Sequence, residues 1–328
     1  MKRRLIQIAG GVAATAIVLG AAIAWYFTSQ ALYPEWQIMD LASCPQRQVE
    51  GFGPECGDLR KLDDFAFEDY LAPTDRGYAV PAWYIPALKQ KAPPAKANVL
   101  GVAPGKYAAI FIHGGGADRR AGTRLARYFI DRGIDYYQPD LVCHGLAECP
   151  RPGLSFGYRE HQDVVDVYRS IRERYQGVFV IGSSVGANST LIAFPKMAGV
   201  TAVVAENPMY SARRFVLDTG AAPGFFPDWY REILYALLAW RAGIEDHTVS
   251  AMSGVVRAAK SGAPLLFIHS TTDHLIPATH SEELHEIFRA EGGTARLEIV
   301  EGARHSRIWN AGPEKYEALL DDFFRAAL

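Results

Sequence analysis

A serine flanked by two glycines is the most chemically suggestive feature of this sequence. Ser184 lies between Gly182 and Gly186 in the pattern G-x-S-x-G, directly after the apolar run 178–181. A strand followed by a tight turn and a helix would lift the serine hydroxyl above the strand end. The N–H of Val185, in the first turn of that helix, would have no intrahelical acceptor and could stabilise an oxyanion. The pattern indicates a nucleophilic serine, although an incidental serine in a glycine-flanked turn would look the same.

Two further strand ends carry residues that could complete this chemistry. Asp273 follows the apolar run 265–268, and His305 follows 298–300 in a loop of small residues. A histidine can take the serine proton, and a carboxylate can orient the imidazole and stabilise its protonated form. Taken singly, the aspartate reads as a turn or helix cap and the histidine as a structural residue. The order Ser184, Asp273, His305, each after a short apolar run, favours a catalytic triad.

A run of glycines could supply a second oxyanion donor. Glycines at 114–116 follow the apolar run 108–112 and the single residue His113. Backbone N–H groups in such a run are unshielded by side chains, which is what an oxyanion hole requires. A flexible turn leading into a helix would give the same pattern. We expect one of these N–H groups to act together with that of Val185.

An alternating α/β pattern must position these residues. From residue 108 onward, strand-length apolar runs alternate with segments of helical period, which is typical of a mostly parallel, doubly wound sheet. Alternation at Phe65 and Phe67 and over 79–85 predicts antiparallel edge strands, with Pro81 suited to an edge. Ligands bind beyond the carboxyl ends of parallel strands, so the candidate residues should meet there. The predicted helices cover 119–131, 161–175, 187–197, 281–290 and 313–327.

A segment rich in aromatic and leucine side chains separates two of the strands. We expect a helical cap at about 208–262, whose main helix has Asp228 as N-cap and stops at Gly243. The cap would cover Ser184 with an apolar acyl pocket, or its large side chains would be ordinary core residues of amphipathic helices. These side chains are Phe215, Phe225, Phe226, Trp229, Tyr230, Leu234, Leu237, Leu238 and Trp240.

The first residues have the composition of a membrane-directed segment. Three basic residues at 2–4 precede the apolar run Leu5–Phe27, which is about as long as a membrane span requires. We expect an uncleaved anchor over residues 1–30, because the run exceeds a usual signal h-region and ends in interfacial aromatics. A cleaved signal peptide is the alternative, since 22–24 reads Ala-Ile-Ala. Either way the basic flank places the globular part on the periplasmic or extracellular side.

Four cysteines form two close pairs in loop-like sequence, which suits an oxidising compartment. We expect the disulfides Cys44–Cys56 and Cys143–Cys149, although three connectivities are formally possible and four free thiols would fit a cytosolic protein. The first pair lies in 31–64, which reads as a linker. No histidine or cysteine group has zinc-ligand spacing, so we expect no metal.

Composition bounds the remaining possibilities. The chain of 328 residues is 49% hydrophobic and can bury one large core together with a lid. A net charge of −2 gives no electrostatic basis for binding nucleic acid. No heptad pattern is visible, so we expect a monomer.

These motifs together resemble the α/β-hydrolase superfamily, and within it the membrane-anchored group of BEM46-like and ABHD13-like serine hydrolases. The resemblance covers about residues 65–328. It rests on FIHGGG at 111–116, PDLVCHG at 139–145, SFGYREHQDV at 155–164, GSSVGA at 182–187, HSTTDHLIP at 269–277 and GARHS at 302–306.

The resemblance implies a residue assignment and an activity. Ser184 would be the nucleophile, His305 the general base and Asp273 its orienting acid. Gly115 and Val185 would be the oxyanion donors, with Gly114 as the alternative to Gly115, because family members often read HGN where this chain reads HGG.

The implied reaction is hydrolysis of a small-molecule or lipid-like carboxylic ester through an acyl-enzyme, without metal or cofactor. The alternatives are a peptidase of the same fold and a catalytically silent binding protein of this fold.

Overall fold

The structure, a computed structural model, describes residues 2–34, 50–218 and 226–328. Within these residues a single sheet is built from eight strands: β1 (Glu68–Ala72), β2 (Val80–Ile85), β3 (Tyr107–Ile112), β4 (Asp135–Pro139), β5 (Gly177–Ser183), β6 (Ala202–Glu206), β7 (Leu265–Ser270) and β8 (Ala295–Val300). Their order is β1-β2-β4-β3-β5-β6-β7-β8. The pairs β1–β2 and β2–β4 are antiparallel, and the other pairs are parallel.

Helices cover both faces of this sheet, and others pack away from it. The helices described over their full range are α1 (Lys2–Leu32), α2 (Thr123–Asp131), α3 (Glu160–Arg172), α4 (Val185–Ala193), α5 (Ala212–Asp218), α6 (Asp228–Ala242), α7 (Ala251–Ala258), α8 (Thr279–Ala290), α9 (Ile308–Ala311) and α10 (Pro313–Ala327). The predicted helices 119–131 and 187–197 each combine an α-helix with a 3-10 turn, Arg119–Gly122 before α2 and Phe194–Lys196 after α4.

The central strand β5 divides the core into two layers. Successive side chains of a strand point to opposite faces. Val178 and Val180 join the apolar cluster that includes α3, α4, α7 and α8. Phe179 and Ile181 join the cluster on the other face with α2 and α10. Since strands covered on both faces must be apolar along their whole length, the continuous apolar runs follow from this arrangement. The predicted doubly wound α/β-hydrolase fold is confirmed.

The antiparallel edge differs in detail from the prediction. β1, not a strand at Phe65 and Phe67, forms the edge, and Pro81 lies in β2, which is one strand further in. A proline lacks the N–H that a central strand needs. Pro81 is tolerated because the ladder between β2 and β4 begins only at Ala82, opposite Pro139. Its carbonyl still accepts a hydrogen bond from the N–H of Asp140 at 2.9 Å.

The cap region contains helices of two kinds. α7 lies within the predicted cap range, but its buried residues join the main core with α4 and α8. α5 and α6 form a separate apolar cluster with the C-terminal part of α1. The predicted N-cap is wrong by one residue: Asp228 is the first residue of α6, and Pro227, which has no capping side chain, is the N-cap. The predicted stop is confirmed, because α6 ends at Ala242 and Gly243 follows as a left-handed C-cap with a φ of 72°.

The N-terminal helix α1 is longer than the apolar run predicted for it. Its segment Gln7–Leu32 has a mean hydropathy of 2.0 over its most apolar window, of which 6% is buried. It is long and apolar enough to cross a membrane, and an N-terminal signal sequence would share these properties.

The segment predicted as a linker is packed where it is described. Phe52, Cys56 and Leu59 are buried in the cluster that contains α2 and α10. Cys143 and Cys149 form the predicted disulfide. Cys56 is also disulfide-bonded, and its predicted partner Cys44 lies outside the described residues.

Candidate active site

Ser184 stands on a sharp turn between β5 and α4. Its backbone adopts φ 56° and ψ −121°, an unusual conformation for a residue with a side chain. The turn needs both flanking glycines for close approach. A Cβ at Gly186 would lie 2.2 Å from the carbonyl oxygen of Ile112, and one at Gly182 would lie 2.3 Å from the carbonyl oxygen of Gly186. The turn is thus pressed against the end of β3, which brings the glycine-rich loop beside the serine.

The structure brings the three predicted triad residues into one hydrogen-bonded chain. Nε2 of His305 lies 2.8 Å from Oγ of Ser184, and Nδ1 of His305 lies 2.6 Å from Oδ2 of Asp273. These residues come from the ends of different strands, β5, β7 and β8. The arrangement permits a proton to pass from the serine to the imidazole while the carboxylate fixes the ring.

Asp273 is held as a carboxylate by the donors around it. Oδ1 accepts the N–H groups of Leu275 and Ile276, each at 2.9 Å, and Oδ2 accepts the Asn207 side-chain amide at 2.8 Å. Burial would raise the pKa of Asp273, but hydrogen bonds and the nearby histidines hold that pKa below its usual range.

A second histidine lies near this carboxylate in the interior. Nε2 of His269 is 3.5 Å from Oδ2 of Asp273, yet only 2.9 Å from the carbonyl oxygen of Ile276. The Nε2 proton of His269 is therefore donated to the Ile276 carbonyl and not to Asp273. This leaves His305 as the principal imidazole partner of Asp273. His269 braces the turn that presents Asp273.

The predicted oxyanion residues surround the serine. A Cβ at Gly114 would lie 3.2 Å from Cβ of Ser184, and one at Gly115 would lie 2.9 Å from Cγ2 of Val185. Val185 is the first residue of α4, where backbone N–H groups have no intrahelical acceptor. All three residues line the cavity next to the serine.

Two buried histidines fix the glycine-rich loop. Nε2 of His113 accepts the N–H of Leu141 at 3.0 Å, so Nδ1 carries the proton and donates to the carbonyl of Gly114 at 2.8 Å. Nε2 of His144 accepts the N–H of Gly116 at 3.2 Å. Burial and the adjacent His144 lower the pKa of His113 to about 3, so its ring is neutral. The structure thus places both histidines as supports of the glycine-rich loop.

A buried ionic network behind the histidine loop was not foreseen from the sequence. Arg124 donates to the carbonyl of Ser306 at 2.9 Å and lies 3.4 Å from Oε2 of Glu206, which also accepts the Tyr316 hydroxyl at 3.1 Å. Ser183 donates to the hydroxyl of Ser306 at 2.9 Å. The sequence feature that could have predicted this network is Glu206, which ends the apolar strand β6. A buried charge at that position requires a partner. The network fixes the loop that carries His305.

An apolar cavity of about 350 Å³ opens beside Ser184. Most of the residues that line it are not among the cap side chains predicted to form the acyl pocket. Of those predicted side chains that the structure describes, Phe215 lines the cavity. Phe225 lies outside the described residues. The apolar lining residues are Ala31, Pro34, Phe52, Phe111, Ala117, Ala121, Leu154, Phe156, Val185, Met209, Phe215, Leu275 and Ile276.

The large side chains of α6 pack elsewhere for a clear reason. Leu234 and Leu238 are buried in the cluster that contains Ala24 and Leu32 of α1. The buried face of α6 therefore meets α1, and the expectation that this helix supplies an acyl pocket is not met. Instead, Gln30 and Ala31 at the end of α1 and Pro34, just after it, contribute to the cavity wall.

A loop held by a buried carboxylate forms another wall. Glu160, at the start of α3, accepts the N–H groups of Ser155 at 2.8 Å and Gly157 at 3.0 Å. These bonds hold Leu154 and Phe156 at the cavity, with Phe156 at a φ of 55°. Glu160 and Phe156 belong to the motif SFGYRE at 155–160, and Leu154 immediately precedes it. The sequence alone did not assign this motif a structural role.

Comparison with known proteins identifies a matching family and a related protein. The family model described as the prolyl oligopeptidase family matches residues 155–328, just over half of the chain. The uncharacterized protein YfhR of Escherichia coli K12 is 22% identical over 253 residues, which covers 77% of this chain and 78% of that protein.

Two solved structures show the same fold. The esterase Pf2001 of Pyrococcus furiosus superposes with a TM-score of 0.60 at 17% identity, over 80% of this chain and 91% of that one. The acylaminoacyl peptidase of Pyrococcus horikoshii gives a TM-score of 0.57 at 17% identity, over 81% of this chain and 42% of that one.

Proposed function

From the premise that this chain belongs to the prolyl oligopeptidase family and is a serine hydrolase, we infer that its substrates are carboxylic esters with an apolar acyl group. The observation that carries this proposal is the hydrogen-bonded chain Ser184–His305–Asp273 opening onto an apolar cavity. An acyl chain placed in that cavity would have its carbonyl carbon next to Oγ of Ser184. The affinity of such a site would come mainly from burial of apolar surface, and Arg124 and Arg307 also lie in its lining.

The proposed roles follow from the geometry. Ser184 attacks the ester carbonyl as His305 takes its proton, and Asp273 stabilises the resulting imidazolium. N–H groups of Val185 and of Gly114 or Gly115 hold the oxyanion. The alcohol leaves with a proton from His305, and a water activated by the same imidazole then releases the acid and restores Ser184.

A peptidase is the second candidate, and the family name favours it. The structural match nevertheless covers 91% of the esterase but only 42% of the acylaminoacyl peptidase. The proposed preference for the ester over the peptide is supported by the apolar cavity beside Ser184 and by the resemblance to the BEM46-like and ABHD13-like group.

We also propose that α1 tethers the enzyme to a membrane, with the catalytic domain on the periplasmic or extracellular side. The apolar segment Gln7–Leu32 and the disulfide Cys143–Cys149 support this location. Extraction of the full chain from membranes, followed by N-terminal sequencing, tests the tether. Recovery of soluble protein that begins after Ala24 would show cleavage instead.

The enzymatic proposal is tested with the purified chain and its Ser184→Ala variant. We expect a fluorophosphonate probe to label only the wild type, and p-nitrophenyl esters to be hydrolysed only by the wild type. Acyl-dipeptide p-nitroanilides serve as the peptidase substrates. Faster Ser184-dependent cleavage of the anilides than of the esters would establish the peptidase, and no Ser184-dependent reaction with any substrate or probe would leave a silent binding protein.

A further inference from the structure

The outward face of α6 is an apolar stripe. It consists of Trp229, Ile233, Ala236 and Trp240, which recur at helical spacing and are all exposed. The exposed fractions are 66% for Trp229, 48% for Ile233 and 68% for Trp240. A helix on the surface of a globular protein normally turns its polar side chains outward. An exposed apolar stripe of this kind marks an interaction surface.

The charged side chains at the start of α6 lie beside the stripe, and two of them are held by hydrogen bonds or ion pairs. Arg231 donates to the carbonyl of Leu217 at 2.9 Å, and Glu232 is paired with Arg213. Asp228, the first residue of the helix, is exposed and lies 3.8 Å from the Arg231 guanidinium. Between the two tryptophans, the outward stripe itself therefore carries no charge.

α6 is bound to α1 over a defined length. The Tyr230 hydroxyl donates to the carbonyl of Gly20 at 2.6 Å. Arg241 donates to the carbonyl of Trp25 at 3.0 Å and to the hydroxyl of Ser29 at 2.9 Å. Its guanidinium also stacks on the Trp25 ring, 3.8 Å from the ring centre. The position of α1 in a membrane would therefore fix the position of α6.

This contact straddles the outer boundary of a bilayer that α1 spans. A hydrocarbon core of about 30 Å takes about 20 helical residues, which end at about Trp25 when counted from the basic cluster 2–4. At a rise of about 1.5 Å per residue, Gly20 then lies about 7.5 Å inside that boundary and Ser29 about 6 Å outside it. Trp25 and Tyr26 are 53% and 59% exposed, as aromatics in a membrane interface are.

We propose that the α6 stripe docks on the outer leaflet of the membrane that holds α1, and that the ester substrate reaches Ser184 from this lipid surface. This rests on the proposed tether and esterase activity and deepens them. Apolar helix faces enter the boundary between headgroups and acyl chains by roughly 5–10 Å, which is the level that the α1 contact assigns to α6. The cavity beside Ser184 is lined by Gln30, Ala31 and Pro34, so it adjoins the membrane-facing end of the domain. The substrate class is an amphiphilic ester whose acyl chain rests in the leaflet.

The first test compares a vesicle-embedded ester with a soluble one. The full chain in phosphatidylcholine vesicles is assayed with a long-chain p-nitrophenyl ester in the same bilayer and with p-nitrophenyl acetate in the buffer. We expect Trp229→Asp/Trp240→Asp to lose about tenfold or more on the embedded ester, because charge prevents interfacial insertion, and less than about twofold on the soluble one. The matched control is Leu88→Asp, since Leu88 is 64% exposed on the edge side of the sheet.

The outcomes separate the two proposals. Unchanged turnover of the embedded ester by the double variant, with the soluble activity intact, overturns the docking inference alone. Turnover by Ser184→Ala at the wild-type rate overturns the esterase proposal instead. If the double variant loses both activities, its fold has failed and the decision passes to a conservative variant.

That conservative variant is Trp229→Phe/Trp240→Phe, read by fluorescence quenching. Bromine atoms on lipid acyl chains quench tryptophan only by contact. We expect lipids brominated near the headgroup to quench the wild type more than the double variant, since the two tryptophans lie in the outer interface. Equal quenching overturns the proposal. Sedimentation of a dimer that Trp229→Asp/Trp240→Asp converts to a monomer also overturns it, because a second copy would then cover the stripe.

Discussion

Replacing Asp273 by asparagine should inactivate the enzyme while leaving all three triad positions in place. Oδ1 of Asp273 accepts two backbone N–H groups, from Leu275 and Ile276, so the oxygen of the new amide must take that position. The amide nitrogen then faces Nδ1 of His305, which lies 2.6 Å from Oδ2 in the wild type. Because an amide nitrogen donates, Nδ1 becomes an acceptor and the ring proton moves to Nε2.

The size of the effect follows from that tautomer. Nε2 of His305 lies 2.8 Å from Oγ of Ser184 and, once protonated, cannot take the serine proton. In a triad of this type the wrong tautomer costs about four orders of magnitude in kcat, or about 5.5 kcal/mol of transition-state stabilisation. The side-chain amide of Asn207 also loses its acceptor, which should lower the free energy of unfolding by about 1–3 kcal/mol.

The assay is kcat/KM for a soluble p-nitrophenyl ester, measured beside urea unfolding. Asp322→Asn is the matched control, since the Asp322 side chain is 68% exposed and pairs only with Arg325 among the described ion pairs. Activity of Asp273→Asn within tenfold of the wild type, while Ser184→Ala is inactive, would refute the assigned role of Asp273. Loss of activity with a collapsed unfolding transition would be a folding defect, and Asp273→Glu, which keeps the charge, should then recover part of the activity.

Three further outcomes are expected. Gly186→Ala should unfold more easily by about 3 kcal/mol or more, because its Cβ would meet the Ile112 carbonyl at 2.2 Å, whereas Gly312→Ala, with its nearest neighbour at 3.9 Å, should change urea unfolding little. Phe215→Leu should shift the ester preference toward longer acyl chains because Phe215 lines the cavity, whereas Phe288→Leu in the main core should leave the preference unchanged. Stability should fall as pH drops from about 6.5 toward 4, by up to about 1.4 kcal/mol per pH unit for each buried neutral histidine. Because burial lowers the pKa of these groups, the unfolded chain binds more protons in this range, and a flat urea midpoint between pH 7 and 5 would contradict the assignment. The histidines are His113, with a pKa lowered to about 3, and His161 and His280, each lowered to about 4.

The candidate site was predictable from sequence where local physics determines the structure. The turn around Ser184 needs small neighbours, and the carboxyl ends of parallel strands lie at one edge of a sheet. These two facts predicted that Asp273 and His305 would lie near the serine. The disulfide Cys143–Cys149 was predictable because only five residues separate its cysteines.

The rest depended on contacts between distant segments. The composition of α6 predicts a buried face but cannot say that α1 covers it. The pairing of Arg124 with Glu206 joins residues 82 positions apart. Pro81 indicated an edge strand, yet it lies in an inner strand just before the β2–β4 ladder begins at Ala82, which no local pattern reveals.

The wall that α1 adds to the cavity bears on both fates of the N-terminus. Cleavage after Ala24 would remove the span and the Gly20 carbonyl that binds Tyr230. It would leave Gln30, Ala31 and Pro34 in place, together with the atoms that Arg241 binds on Trp25, Thr28 and Ser29. The cavity-lining residues of this segment thus lie downstream of the proposed membrane span. Cleavage after Ala24 would therefore release the chain from the proposed tether while keeping these described lining residues in the protein.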